Sequence, residues 1–300
     1  MARRLNKPSC RIAVLGLNPA FQNILFFKEF HPGHINRAHE KYSCPAGKGI
    51  NFARAALLNG FDSTVFQFTG GETGKKIKSE LKKENIGFFI RPASGETRTC
   101  TTCIDLETGK CTEIIEPSPK IPARSSKELL GRIINEMETF TALAICGTAP
   151  SGVKTDFYRL AVESAVSSGK LILLDAWENM DKVIAAGVHI LKINSSELCR
   201  LTGREEIQEA GRYCMKKYPL ECLAVTCGKD PAYLFADNKV SVLPVPHVSK
   251  AINPIGSGDT VSAVLLTEYL RTGDYFNSFK KALKAGSANC ETPIPGQFKI

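Results

Sequence analysis

The chain has 300 residues, 43% of them hydrophobic, and a formal charge of +9. That length and apolar content suit one large α/β domain or two small ones with a full core. Its eleven cysteines, an odd number scattered over so long a chain, exclude a disulfide mini-scaffold and point to free thiols in a reducing compartment. No run of about 18 apolar residues exists, so no membrane span is expected. The N-terminal apolar run is too short for a signal segment, which makes cytoplasm the expected location. Basic residues gather at Lys75–Lys83 and Lys280–Lys284 in helix-like patterns. They read as solvated helix faces. No nucleic-acid motif accompanies them, so the surplus charge fits small anionic substrates better than nucleic acid.

In chain order, residues 11–17 read as a strand, 49–59 as a helix ending at Gly60, 63–69 as a strand and 74–84 as a helix. Short strands follow at 88–90, 100–105 and 112–116. Helix 127–140, strand 142–146, helix 156–168 and strand 171–175 come next. The remainder reads as strand 190–193, helix 205–217, strands 223–226, 232–235 and 239–245, then helices 261–270 and 278–289. Several strands (VLGL, LAIC, LILLD, LAVTC) are continuous apolar runs, as parallel strands covered on both faces require. The alternation predicts a doubly wound α/β fold with a mainly parallel sheet flanked by helices. Two stretches break it, residues 21–44 and 88–116. They are rich in β-formers and turns, and predict a small β-sheet lid on a single domain spanning residues 1–300.

The chemistry concentrates in Asn253-Pro254-Ile255-Gly256-Ser257-Gly258-Asp259. Glycines there let the backbone approach a ligand, and the following helix start presents unpaired N–H groups to an anion. Asp259 is either an N-cap or a base beside a bound phosphate. Gly47-Lys48-Gly49-Ile50-Asn51 is a second glycine turn before a helix, with Lys48 and Asn51 as polar contacts for a sugar. Neither it nor Gly70–Lys76 has the Gly-Lys-Ser/Thr ending of a Walker loop. Lys192-Ile193-Asn194-Ser195-Ser196-Glu197 follows a strand. Asn194 and Glu197 read as a capping box or as groups that place Mg²⁺ through water. Thr226-Cys227-Gly228 is a further strand-end turn, suited to a nucleotide edge. Cys100 and Cys103 form one C-x-x-C with no second pair at zinc spacing. The histidines at 31, 34 and 39 fit a polar loop better than a metal site.

These motifs occur in order with Leu17-Asn18-Pro19-Ala20 and Gly95-Glu96-Thr97-Arg98. Over residues 11–296 the chain resembles the ribokinase/PfkB family of carbohydrate kinases, and within it the phosphofructokinase-B branch of tagatose-6-phosphate kinases and 1-phosphofructokinases. The resemblance implies a ribokinase-like fold and ATP-dependent, Mg²⁺-assisted phosphorylation of a ketohexose monophosphate. It assigns Asp259 as general base and Gly256, Ser257 and Gly258 as the anion hole. Sugar contacts fall to Gly47, Lys48, Asn51 and Gln22, and the substrate's phosphate to Arg98 with help from Arg37. Lys192, Asn194, Thr226, Gly228 and Asn289 fall on the nucleotide side, and Glu197 with Asn194 near Mg²⁺. It also implies pairing of two copies through the lid. Gln22 stands where the branch usually carries Asp, and Ala46-Gly47 replaces Gly-Gly. The chain ends at Ile300, where relatives often continue with another helix, so a less covered nucleotide pocket is expected. Other readings of the same residues are a non-catalytic sugar-phosphate sensor and a kinase of an unphosphorylated sugar or nucleoside.

Overall fold

A computed structural model describes residues 11–154 and 156–299. Residues 1–10, which belong to the leader reading, lie outside the described residues. Among the described residues the strands are β1 (Arg11–Leu15), β2 (Ala20–Phe27), β3 (Glu40–Ala46), β4 (Asp62–Thr69), β5 (Gly87–Pro92), β6 (Thr99–Asp105), β7 (Cys111–Ile115), β8 (Ala142–Cys146), β9 (Leu171–Asp175), β10 (Ile190–Asn194), β11 (Cys222–Cys227), β12 (Asp230–Ala236) and β13 (Lys239–Leu243). The helices are α1 (Lys48–Leu58), α2 (Gly71–Lys83), α3 (Ala123–Glu136), α4 (Asp156–Ser167), α5 (Asp181–Ala185), α6 (Ser195–Thr202), α7 (Ile207–Lys217), α8 (Ser257–Thr272) and α9 (Tyr275–Asn289). No helix among the described residues is long and apolar enough to cross a membrane.

The large sheet has the order β13-β12-β11-β10-β9-β8-β1-β4-β5. Its strands run parallel from β11 to β5, and β12 and β13 are antiparallel to their neighbours. Alternation along each strand divides the core. Ile12, Val14, Ala144 and Leu173 face α1, α2, α8 and α9. Ala13, Leu15, Ile145 and Leu174 face α3 to α7. This is the doubly wound arrangement read from the apolar strands. Strand order reverses between β1 and β8, where an open α/β sheet leaves a crevice at its strand ends.

The small sheet has the order β3-β2-β6-β7. Ile24, Phe26 and Ile104 on one face pack against Ile252 and Ile294 of the body. One boundary needs correction. Residues 87–92 belong to the large sheet as its edge strand, paired to β4 from Thr64↔Gly87 to Thr69↔Pro92. The lid excursion therefore starts near Thr99, not at Phe88. A three-residue apolar run cannot reveal by itself which sheet it joins.

The start of α1 is pressed onto the end of β1. A Cβ on Gly16 would lie 2.7 Å from the Gly49 Cα. Only two glycines permit this approach, and it brings Lys48 and Asn51 over the crevice. Gly49→Ala should therefore destabilise the fold by about 2 kcal/mol through overpacking. Urea denaturation measures this, and an unchanged midpoint would contradict the close contact.

Candidate active site

Asp259 does not cap its helix. Gly256 is the N-cap of α8, with φ 83°, and makes no side-chain cap bond. Asp259 sits in the first turn, nearly buried, and its Oδ2 accepts from Asn51 Nδ2 at 2.8 Å. The Ser257 amide turns to Pro254 O at 3.3 Å. The Gly258 and Asp259 amides remain at the free, positive end of the helix. Asn51 Oδ1 is buried without a partner, so this amide keeps an acceptor available beside the carboxylate.

A second carboxylate organises the floor. Asp175 ends β9 with its side chain 2% exposed. Lys48 Nζ donates to it at 2.8 Å, Ser262 Oγ at 2.6 Å and Lys192 Nζ at 3.4 Å. Burial works against its charge, but Lys192 and Lys48 outweigh burial and hold its pKa below the ordinary carboxylate value. The Asp175 charge in turn raises the Lys48 pKa. Asp259 moves the other way. Burial and then the Asp175 charge push its pKa up to about 6, against the opposing pull of Lys48 and Asn51. Two carboxylates with such different proton affinities in one pocket have the electrostatics of a base beside a fixed charge.

Two cavities open near this network. The first, about 930 Å³, is lined by Gly16, Asn18, Lys48, Arg98, Trp177 and Glu197, together with the loops after β8 and β9. The second, about 650 Å³, is more apolar and is lined by Thr226, Gly228, Ser257 and Gly258, with Val245 and Leu283 along its sides. Lys48, with 40% of its side chain exposed, reaches the first. Asp259 and Asn51 are buried behind these linings, Asp259 next to Gly258 of the second cavity and Asn51 on the helix whose Lys48 and Gly49 line the first. A Cβ on Gly258 would meet Lys192 Nζ at 2.8 Å, so glycine keeps the ammonium close to the helix end.

Other expected residues are placed as follows. Arg98 projects into the first cavity, and its Nη2 and Nε donate to Asn18 O at 3.2 Å and Pro19 O at 3.5 Å. Gly47, with φ 107°, lets the chain turn over Pro19. Asn194 and Glu197 form a reciprocal capping box on α6, and Glu197 also lines the first cavity.

Three expected residues have other neighbours in this structure. Gln22 does not line either cavity; its amide donates to Thr102 Oγ1 at 2.6 Å inside the small sheet. Arg37 lies in an exposed hollow among residues 28–39, apart from Arg98. Asn289 is fully buried and structural. Its Nδ2 donates to Ile255 O and Ser257 Oγ, while its Oδ1 accepts from Thr260 Oγ1 and Gly296 N. It braces the glycine turn and does not touch the second cavity.

Sequence reasoning missed Asp175, Ser262 and Trp177. A carboxylate closing the apolar strand LILLD was the available signal for Asp175, because parallel strands deliver their C-terminal residues to the crevice. Cys100 and Cys103 lie three apart on β6 and so point to opposite faces.

No group of three or more His, Cys, Asp or Glu side chains among the described residues forms a metal cage. The Glu197 carboxylate at the first cavity fits a hard cation such as Mg²⁺ that takes most of its ligands from phosphate and water, whereas the Asp175 oxygens are taken by Lys48, Lys192 and Ser262.

The sequence profile of the pfkB family carbohydrate kinases matches residues 14–296. Tagatose-6-phosphate kinase of Staphylococcus epidermidis is 27% identical over 286 residues, covering 93% of this chain and 91% of that protein. 1-Phosphofructokinase of Bacillus subtilis is 28% identical over 282 residues, covering 92% and 91%. Among solved structures, phosphofructokinase-2 of Escherichia coli in complex with substrates and products superposes with a TM-score of 0.85 at 22% identity, covering 93% of each chain. The motifs, the doubly wound sheet and this match over nearly the whole chain agree, and the protein belongs to the pfkB family of carbohydrate kinases.

Proposed function

We propose that the protein transfers the γ-phosphoryl group of ATP to a hydroxyl of a ketohexose monophosphate, giving a bisphosphate and ADP. The candidate acceptors are fructose 1-phosphate, tagatose 6-phosphate and fructose 6-phosphate. The observation that carries this reading is Asp259, a buried carboxylate with its pKa pushed up to about 6, bonded to Asn51 in the first turn of the helix whose Ser257 and Gly258 line the second cavity. The family relatives named for sugar-phosphate kinases support the acceptor class.

In this reading the apolar cavity takes the nucleotide, with Thr226 and Gly228 along its edge. The first cavity takes the sugar phosphate. Asp259 removes the proton of the acceptor hydroxyl as its oxygen bonds to the γ-phosphorus. The bond from that phosphorus to the bridging oxygen breaks, and ADP leaves with the electron pair. Amides of Gly258 and Asp259 and the Lys192 ammonium stabilise the charge on the moving group. Asn51 orients Asp259 through its Nδ2 and offers Oδ1 to a sugar hydroxyl. Asp175 holds Lys48 and Lys192 in place. Mg²⁺, held near Glu197 and Asn194 largely through water, would supply charge neutralisation for the phosphates. Arg98 has donors to spare beyond its two carbonyl contacts, and a guanidinium suits a phosphate. Exposed Ile114 and Ile35 belong to the lid excursion, through which a second copy would pair. The reading also takes residues 1–300 as one kinase domain acting in the cytoplasm.

Asp259→Asn should lower kcat by about a thousandfold while nucleotide binding persists, as expected for loss of a general base. Near-normal turnover would remove Asp259 from that role. Because the base works only when deprotonated, kcat/KM should fall about tenfold per pH unit below about pH 6 and level off above it. A profile flat down to pH 4 would contradict the raised pKa. Arg98→Ala should raise KM for the phosphorylated sugar on the order of tenfold to a hundredfold, the worth of a charged hydrogen-bonding pair. An unchanged KM would instead favour an unphosphorylated acceptor. Finding no ADP release with any of the three sugar phosphates would favour the sensor.

A further inference from the structure

The segment that carries Arg98 is irregular. β5 ends at Pro92 and β6 begins only at Thr99. Its place is nevertheless fixed, and the fixing comes from α2. The Glu96 carboxylate sits on the start of that helix, with Oε1 accepting from the Thr73 amide at 2.5 Å and Oε2 from the Glu72 amide at 3.2 Å. Gly71 has φ 68°, and a methyl group there would overlap the Glu96 carboxylate. Thr97 is 2% exposed. Its hydroxyl accepts from the Gly70 amide at 2.8 Å and donates to Gly70 O at 3.1 Å, and its own amide donates to the same oxygen at 3.0 Å. One residue further on, Arg98 O accepts from the Phe21 amide at 3.0 Å.

Gly70-Gly71-Glu72-Thr73-Gly74 therefore looks like part of a phosphate loop and is used differently. Its helix-end amides are filled by a carboxylate of the chain itself. The Thr73 amide, first among the causes, holds the Glu96 pKa below its ordinary value. Arg98 is stretched between two anchors, this cradle on one side and the Asn18 and Pro19 carbonyls on the other. Its contacts to those carbonyls are long, so the guanidinium alone would not fix its own backbone. The cradle does.

We propose that Glu96, assisted by Thr97, is a positioning residue for acceptor binding: by occupying the N-terminal amides of α2 it holds Arg98 at the mouth of the first cavity, aimed at the anionic group of the incoming sugar. The proposal rests on the reading of Arg98 as the phosphate clamp. It explains why Gly70-Gly71 and Gly95-Glu96-Thr97-Arg98 occur together in this chain. A flexible arginine would recover its ordering cost from the bound phosphate, whereas an anchored one meets the phosphate in place.

Kinetics on Glu96→Ala and Glu96→Gln test this, with hydrogen exchange as a readout independent of turnover. Glu96→Ala should raise KM for the ketohexose phosphate about tenfold, leaving kcat within about twofold and KM for ATP unchanged, because only the orientation of a binding group is lost. Glu96→Gln keeps one carbonyl oxygen for the Thr73 amide and should recover most of the loss. In an Arg98→Ala background, Glu96→Ala should add nothing, since both act through one contact. Amides of residues 95–99 should exchange faster in Glu96→Ala, with the melting temperature little changed. The proposal is overturned if KM for the sugar does not move, or if kcat and KM for ATP shift with it alongside a fall in melting temperature. Inactivity of the wild-type protein toward all three sugar phosphates would defeat the functional reading instead. Unchanged exchange at residues 95–99 in Glu96→Ala would defeat the cradle whatever the activity.

Discussion

The buried charge on Asp175 is the constraint from which the site follows. A carboxylate at the end of a central strand, walled off from water, is costly unless partners surround it. Here Lys48 from α1, Lys192 from β10 and Ser262 from α8 all converge on it. Three segments far apart in sequence are thereby drawn to one point. Of the two ammonium groups that stabilise Asp175, Lys48 lines the first cavity and Lys192 lies buried beside Gly258 at the start of α8. Its charge also reaches Asp259 and, after burial, is the largest influence raising that group's pKa. One fixed carboxylate thus sets the proton affinity of the other.

The glycines around this centre serve proximity. Gly16 and Gly49 bring α1 against β1, and Gly258 admits the Lys192 ammonium to the end of α8. Gly256 takes a left-handed conformation that turns the chain into the helix. Each removes a side chain where a charge or a backbone must come close. Asn289 then replaces the support that those missing side chains cannot give, bonding Ile255, Ser257, Thr260 and Gly296 from a fully buried position. The glycine turn is held from behind by an amide and not by packing alone.

Much of the fold was legible because its signals are local. Apolar runs such as LAIC and LILLD mark covered parallel strands, and both lie where the sequence placed them. The large sheet, the helical layers and the glycine turn before α8 follow from such patterns. What escaped depends on long-range register. Gln22 faces Thr102 because β2 and β6 pair in parallel, with Ile24 opposite Thr102; nothing near Gln22 in sequence encodes that partner. Arg37 and Arg98 share a charge but sit on different parts of the lid excursion. Asp175 had a local signal in its place at the end of LILLD, but its role lies in a pairing with Lys48, 127 positions away.

The division of labour between rigid and variable parts places acceptor selectivity in the loops. Asp259, its Asn51 partner and the Gly258 and Asp259 amides sit on helix starts, braced by the large sheet. The far wall of the first cavity is built from loops after β8 and β9, where Thr148, Lys154, Trp177 and Glu178 project inward. Loops tolerate substitution without loss of the core, so they adapt to a new ring or phosphate position while the transfer geometry stays fixed. A large indole and two charged groups of opposite sign are a strong imprint on that wall. Trp177 offers a broad aromatic face at a cavity that also carries Lys48, Arg98 and Glu197, and the chain contains no other tryptophan. Trp177 and Arg98 line the same cavity, so in the proposed reading a phosphorylated ring meets both, and the spacing of those two groups would select among acceptors.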